Sequence, residues 1–293
     1  MTNSRKNMLY NMVFVLPLIS FIVLFVAYPV SSVIYNSFFR SNLNGTQTYI
    51  GLRNYAQFFA KRYASQIFLN TAMWVGLGVI LKVGLAMIVS LALIKNFPLK
   101  KTVMQSLIIP WAMPTVIACI IWKMMYQPRF GYINSTFLSL GLIQQPLDWL
   151  GSKNTAFLAT LLVNVWSTVP LGVLNISSAM ATIPTHYYEA ALLDGSSAWS
   201  NFRHITLPLI SPVLRMLLLL YTIWTFNAFD AIFMMTGGGP SHASETLVVN
   251  IYLTGFEANN IGQASAISVI SLLILTALSL IYLNSAKRGE AYD

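Results

Sequence analysis

Six long apolar segments, separated by short polar breaks, constrain the fold of this chain more than any other feature. A helix needs about 20 mostly apolar residues to cross a bilayer. The six segments that reach this length are about 10–38, 67–95, 102–126, 154–180, 206–236 and 261–286. Only 9% of the residues are charged, against roughly 25% in soluble domains. The sequence therefore predicts an all-α polytopic membrane protein with six transmembrane helices, in which residues 1–293 form a single transmembrane domain.

The first segment and the span prolines refine this prediction. A signal peptide has about 7–15 apolar residues and a small-residue cleavage site, whereas the first segment here is longer and has no clear site. We therefore predict a retained first span. Proline kinks a helix and frees carbonyl groups, and the spans contain Pro17, Pro29, Pro110, Pro114, Pro170 and Pro212.

The distribution of basic residues predicts the orientation of the chain. An even number of spans places both termini on one side of the membrane. With both termini inside, nine lysines and arginines lie inside and six outside, and the positive-inside rule favours this arrangement. The net charge of +9 then suits an anionic membrane surface and does not require nucleic acid. The inner nine are Arg5, Lys6, Lys95, Lys100, Lys101, Arg203, Arg215, Lys287 and Arg288.

The polar loop between the fourth and fifth spans carries a spaced motif. The loop covers about 184–205, and its Glu-Ala-Ala run is followed by three residues, a glycine, nine residues and Ile-x-Leu-Pro. A short helix is predicted from about His186 to Leu193, a turn at Gly195 and a second helix at roughly 197–204. The fixed positions are Glu189, Ala190, Ala191, Gly195, Ile205, Leu207 and Pro208.

This motif resembles the EAA loop of membrane subunits of binding-protein-dependent ABC importers, whose pattern is E-A-A-x3-G-x9-I-x-L-P. In that family the loop forms two short helices that sit in a cleft on a cytoplasmic ATPase. The resemblance implies that this loop is a cytoplasmic coupling loop, in which Glu189 or Asp194 reaches a basic group on the ATPase. Without the motif, an amphipathic connector lying on the membrane surface is the alternative.

Weaker likenesses extend over nearly the whole chain and are similar to the carbohydrate-uptake branch of these importers, of the maltose, multiple-sugar, lactose and glycerol-phosphate type. The loop at about 39–66 is too short for the large outer domain of one maltose-system subunit, so the chain looks like a shorter six-span relative. The matching stretches include Tyr28-Pro29, 51–55, Asn70-Thr71, Ile109-Pro110, Asn134, the Trp166 region, 226–230 and 237–240.

The resemblance also implies a set of partners. This chain would pair with a second homologous membrane subunit, a dimeric cytoplasmic ABC ATPase and an extracytoplasmic solute-binding protein that delivers a sugar or oligosaccharide. It would lie in the bacterial cytoplasmic (inner) membrane with both termini cytoplasmic. It would be no enzyme and bind no cofactor, because ATP and Mg are bound by the partner subunits, and no metal site is expected.

Two other classes of function are open alternatives. An ion-coupled secondary transporter of a small polar solute is expected to carry paired carboxylates within its spans, and Asp230 is the one acid so placed. A membrane enzyme would need an acidic or histidine cluster at a membrane face, whereas His186, His204 and His242 are scattered over predicted loops on opposite faces.

Spans four and five carry side chains suited to a sugar pathway. Sugars bind by stacking of aromatic rings on their C–H faces and by hydrogen bonds to their hydroxyls. Tyr221, Trp224, Thr225 and Ala228 share one helical face by their spacing. Interfacial anchoring or core packing is the alternative. By position relative to maltose-type subunits, the predicted pathway residues are Ser167, Thr168, Leu171, Tyr221, Trp224 and Thr225, to which we add Asn227.

Two intramembrane charges need partners. Asp230 and Lys123 have similar predicted depths, and we predict that they form a structural pair. Lys82 lies deeper, in the middle of the second span. It has three interpretations: its amine snorkels to the membrane surface, it pairs elsewhere, or it attracts an anionic solute. The sequence does not identify the sugar.

Overall fold

The structure is a computed structural model that describes residues 14–41, 46–94 and 97–290, without the side chains of residues 41 and 285–290. The predicted start of the first span, Arg5, Lys6, Lys95 and the side chains of Lys287 and Arg288 therefore lie outside the described residues. Within them the chain is predominantly helical and has only two short strands, which confirms the predicted fold class.

Among the described residues, five helices are long and apolar enough to cross a membrane, and a bent pair makes a sixth candidate span. The first, second and fourth predicted spans correspond to α1 (Phe14–Asn36, which includes the π-helical turn Val23–Ala27), α3 (Ala64–Ile94) and α7 (Ala156–Ala181). The fifth predicted span comprises α10 (Ser211–Phe226) and α11 (Asp230–Thr236), and the sixth is α13 (Ile261–Glu290). The shorter helices are α2 (Arg53–Phe59), α6 (Tyr132–Ser139), α8 (Thr185–Leu193), α9 (Ala198–Asn201) and α12 (Leu247–Tyr252).

The third predicted span, 102–126, is not one straight helix. It consists of α4 (Lys100–Ala112) and α5 (Thr115–Met125), which meet at an angle of 98°. The break lies at Met113 and Pro114, whose ψ angles of 131° are extended. Proline disfavours the α conformation at the residue that precedes it, and here Met113 is extended, so that α4 ends before Pro114.

The contacts divide the chain into two compact units, residues 1–64 with 250–273 and residues 65–249 with 274–293. In the first unit, β1 (Phe39–Ser41) and β2 (Gln47–Tyr49) form an antiparallel hairpin. The Asn54 amide donates to the carbonyls of Ser37 at 2.8 Å and Phe39 at 2.9 Å. This buried side chain therefore fixes the start of the hairpin against α2.

The second unit has a core formed by α3, α7 and α10. Its centre is a close helix approach at Gly172, where an added Cβ would lie 2.7 Å from the Tyr221 hydroxyl and 2.8 Å from the Ala86 Cβ. Small residues allow such close packing between membrane helices. The buried residues of this core are Val79, Ala86, Leu93, Val173, Ile176, Met180, Ile210, Leu217 and Tyr221.

A loop after α11 is tied to the first turns of α3. Gly237 and Gly238 adopt φ angles of +62° and +87°, which end α11. The Asn70 amide then donates to two loop carbonyls, those of His242 at 2.9 Å and Glu245 at 3.0 Å. Asn70 is buried, and its side chain satisfies two backbone acceptors of a loop that has no regular secondary structure.

We expect Asn70→Leu to lower the free energy of unfolding by about 2–3 kcal/mol, because it leaves two loop carbonyls without their donor. Thermal unfolding of the purified protein in detergent measures the effect. Gln66→Leu is the matched control, since Gln66 lies one turn earlier on α3 and is exposed. Equal melting temperatures for the two variants would contradict the anchoring role of Asn70.

Candidate functional site

The coupling segment, residues 184–208, folds as a helical hairpin. Helix α8 follows the extended residue Pro184, and the chain then turns at Gly195, whose φ of +75° favours glycine. Helix α9 starts after Ser197, whose Oγ accepts from the Ser200 N–H at 3.2 Å. The predicted second helix is therefore a short α-helix that continues into a π-helical turn, Phe202–Thr206. A further helical turn, Leu207–Leu209, contains Pro208 and precedes α10.

Most of the motif residues in the coupling segment are exposed. Glu189 and Asp194 form no ion pair with any described residue. Ala191 and Ile205 are half-buried, whereas the remaining motif positions, Ala190, Gly195, Leu207 and Pro208, are exposed. Two unpaired carboxylates thus stand beside small side chains on an accessible surface.

The hairpin also exposes large apolar side chains that sequence reasoning missed. Leu193 is 90% exposed, Trp199 68% and Leu192 65%. Exposed apolar groups clustered in one segment are typical of a protein–protein contact or of a membrane surface. The available signal was the presence of these apolar residues on both sides of the Gly195 turn in a polar loop. Their exposure, however, depends on how the hairpin folds.

Hydrogen bonds and apolar contacts connect the hairpin to the spans. The Tyr188 and Thr206 hydroxyls lie 2.9 Å apart and join α8 to the π-helical turn. Thr206 is 4% exposed, and Ile210, four residues later, is 1% exposed within the core of the second unit. The hairpin is therefore continuous with α10 and with the core that α10 helps to form.

A polar node lies in the core where α3, α7 and α10 meet, and we define it as Trp74, Lys82, Thr168, Tyr221 and Thr225. The Lys82 amine donates to the Thr225 Oγ1 at 2.7 Å and lies 5.7 Å from the centre of the Tyr221 ring. The Tyr221 hydroxyl donates to the Thr168 carbonyl at 2.9 Å, and the Trp74 indole to the Thr225 carbonyl at 3.0 Å. These bonds join the three helices.

The position of Lys82 distinguishes snorkelling from pairing within the bundle. The residue is 1% exposed, so its amine does not snorkel to the surface. It pairs elsewhere, with a hydroxyl and an aromatic face on α10. The snorkelling interpretation is wrong because α10 supplies a hydrogen-bond acceptor for the amine inside the bundle.

The predicted pathway residues separate into buried and exposed groups. Two are fully enclosed within the chain as members of the polar node, so they face no open path in this conformation. The α10 helix ends beside the exposed pair, and α11 begins three residues further on, which breaks the span. The enclosed residues are Tyr221 and Thr225, the partly buried ones Ser167, Thr168 and Leu171, and the exposed ones Trp224 and Asn227.

The predicted pair of Asp230 and Lys123 does not form. The Lys123 amine donates instead to the Met234 carbonyl at 3.2 Å. No ion pair joins it to Asp230 in the part of the chain that the structure describes. The prediction is wrong because a backbone acceptor, one helical turn beyond Asp230, is within reach of the amine, and Asp230 itself is exposed.

The three histidines have separate local partners. His204 Nδ1 lies 3.0 Å from the Ser200 carbonyl, His242 Nδ1 contacts the Glu245 carboxylate, and the His186 ring lies against that of Tyr187. Among the described residues, no three His, Cys, Asp or Glu side chains are grouped as ligands for a metal ion.

Comparisons with known proteins add an independent line of evidence. Residues 82–289 match the family described as binding-protein-dependent transport system inner membrane component. The chain is 34% identical to the trehalose/maltose transport system permease protein MalF of Thermococcus litoralis, over 93% of this chain and 92% of that protein. It is 30% identical to the diacetylchitobiose uptake system permease protein DasB of Streptomyces coelicolor, over 98% and 89% respectively.

A solved structure has the same fold. It is a chain of the bacterial alginate ABC transporter in complex with an alginate pentasaccharide-bound periplasmic protein. The TM-score is 0.83 at 19% identity, and the match covers 97% of this chain and 96% of that one.

Proposed function

This chain belongs to the family of inner membrane components of binding-protein-dependent transport systems, and we propose that its coupling segment docks on an ABC ATPase to drive sugar import. Membership identifies a transport permease rather than a catalytic subunit, because in this family the ATPase is a separate subunit. The observation that carries the proposal is the exposed helical hairpin of the coupling segment, fixed to the core of the spans.

The surface of the hairpin supports docking on a protein. Leu192, Leu193 and Trp199 offer apolar area, and the small side chains of Ala190 and Ala191 allow close approach. The carboxylates of Glu189 and Asp194 are accessible to basic groups of a partner and would form charge-assisted hydrogen bonds there. ATP and Mg would be bound by the dimeric ATPase, and this chain would hold no cofactor.

A sugar or oligosaccharide is the proposed substrate. The relatives named for trehalose/maltose and diacetylchitobiose support this class. The exposed Trp224 ring on α10 suits the C–H face of a sugar, and the exposed amide of Asn227, three residues later, suits its hydroxyls. A second homologous membrane subunit would enclose the other side of the pathway, and an external solute-binding protein would deliver the sugar.

The polar node and the surrounding core would carry the conformational change. ATP-driven closure of the ATPase would displace the coupling segment, and Thr206 and Ile210 would pass this displacement to α10. Because α3, α7 and α10 share hydrogen bonds at the node, they would move together. Both termini and the coupling segment would lie on the cytoplasmic side.

Reconstitution of the complete importer tests the function. The chain, its second membrane subunit and the ATPase are placed in proteoliposomes, and labelled maltose, trehalose and chitobiose are supplied with the binding protein. We expect uptake that requires ATP hydrolysis. Uptake driven by an ion gradient without the ATPase would support the secondary-transporter alternative instead.

We expect Trp224→Ala to reduce the number of sugar molecules imported per ATP hydrolysed by about fivefold, since an aromatic contact contributes about 1 kcal/mol. Sugar uptake and ATPase activity are measured in the same proteoliposomes. Met216→Ala is the control, because Met216 is an exposed residue of the same helix. An unchanged ratio in Trp224→Ala would remove this residue from the pathway.

A further inference from the structure

A cavity of about 710 Å³ lies between the coupling segment and the ends of three spans. Its walls include Leu93 near the end of α3, Lys100 at the start of α4 and Ala181 at the end of α7. Thr185 of α8 and Phe202 of the π-helical turn close it from the side of the hairpin. The cavity thus lies where three spans leave the apolar region, directly against the coupling segment.

The lining of the cavity combines positive charge with apolar surface. Among the described residues that line it, Lys100 is the only charged one and none carries a carboxylate. Helices α4 and α8 begin at residues of the lining, and neither has a side-chain cap on its first turn. The lining residue Ser177 has a buried hydroxyl without a hydrogen-bond partner in the described structure.

These features fit one kind of occupant. Helices α4 and α8 begin at the cavity but α3 and α7 end there, so their dipoles oppose one another and the Lys100 amine is the group that attracts an anion. Leucine, isoleucine, methionine and phenylalanine side chains line the remainder. An occupant at this level of the membrane needs an anionic head and an apolar tail. A phospholipid of the adjacent leaflet has both, whereas a soluble phosphate ester would leave the apolar walls uncovered.

We propose that this cavity binds an anionic phospholipid of the leaflet on the side of the coupling segment, with its phosphate near Lys100. If the coupling segment is cytoplasmic, as in the proposed function, that leaflet is the cytoplasmic one. The role of the lipid in transport rests on the proposed function. The lipid would contact Thr185 and Tyr188 of α8 as well as Asn201 and Phe202, so it would brace both parts of the hairpin against the spans. The anionic lipid content of the membrane would therefore set the efficiency of coupling.

Lipid binding is tested first on the purified importer by native mass spectrometry, with phosphatidylglycerol against phosphatidylcholine. We expect Lys100→Gln to weaken phosphatidylglycerol binding at one site by about fivefold, since a basic residue near an anionic lipid contributes about 1 kcal/mol. Lys101→Gln is the matched control, because it removes the same charge from the next residue, which is exposed and does not line the cavity.

The functional arm uses the binding-protein-stimulated ATPase activity in nanodiscs. We expect phosphatidylglycerol to raise the activity of the native importer and of Lys101→Gln but not of Lys100→Gln. Equal losses in the two variants would overturn the proposal in favour of general surface charge. Stimulation by soluble glycerol phosphate in neutral nanodiscs would overturn it in favour of a soluble ligand. Failure of the ATPase to dock would contradict the proposed function. The lipid-binding result from mass spectrometry does not depend on docking and would still test the lipid site.

Discussion

Gly195→Pro is expected to abolish co-purification of the ATPase with this chain, and ATP-dependent uptake with it. Gly195 adopts a φ of +75°, whereas proline holds φ near −65°. The Gly195 N–H also donates to the Leu192 carbonyl at 3.1 Å, and proline lacks that donor. The substitution therefore removes both the turn and the bond that set the angle between the two helices of the coupling segment.

Gly141→Pro provides an unusually close control for this experiment. Gly141 has a φ of +68°, its N–H donates to the Leu138 carbonyl at 3.0 Å, and no atom lies near its Cβ position. It lies in the loop after α6, which is distant in sequence from the coupling segment. A detergent pull-down compares recovery of the ATPase with the two variants. Recovery with both would contradict the docking proposal. Recovery with neither would mean that loss of folding is the cause.

Thr225→Val is expected to cost more stability than Lys82→Met, although the lysine is the charged residue. Thr225→Val preserves shape but leaves the Lys82 amine, which is 1% exposed, without its hydrogen-bond acceptor. A buried amine left without an acceptor costs about 3 kcal/mol. Lys82→Met replaces the amine with an apolar group of similar length, and such replacements cost about 1 kcal/mol or less.

The double variant Lys82→Met/Thr225→Val makes this prediction sharper. Its free energy of unfolding should lie close to that of Lys82→Met, because no buried amine remains to be satisfied, which gives a coupling energy of about 3 kcal/mol. Chemical or thermal unfolding in detergent measures all four proteins. If the two single effects simply add, the bond from Lys82 to Thr225 contributes nothing to stability.

The sequence alone predicted the six membrane segments and the helical hairpin of the coupling segment. Both depend on local information, since a bilayer requires about 20 apolar residues for each crossing and the turn needs a residue that tolerates positive φ. The bend at Pro114 was open to the same reasoning, because the sequence placed several prolines within spans. Which of them would break a helix by 98° was not, because neighbouring helices decide whether a freed carbonyl is satisfied in place.

Contacts between helices remained beyond the reach of the sequence. In a membrane, the faces that meet lipid and those that meet other helices are both apolar, so hydrophobic periodicity does not separate them. The partner of Lys82, the enclosure of Tyr221 and Thr225, and the donation from Lys123 to a backbone carbonyl therefore followed only from the packing. The sequence determined where the apolar membrane segments and the coupling segment lie, and the tertiary structure decided which polar groups satisfy one another between the helices.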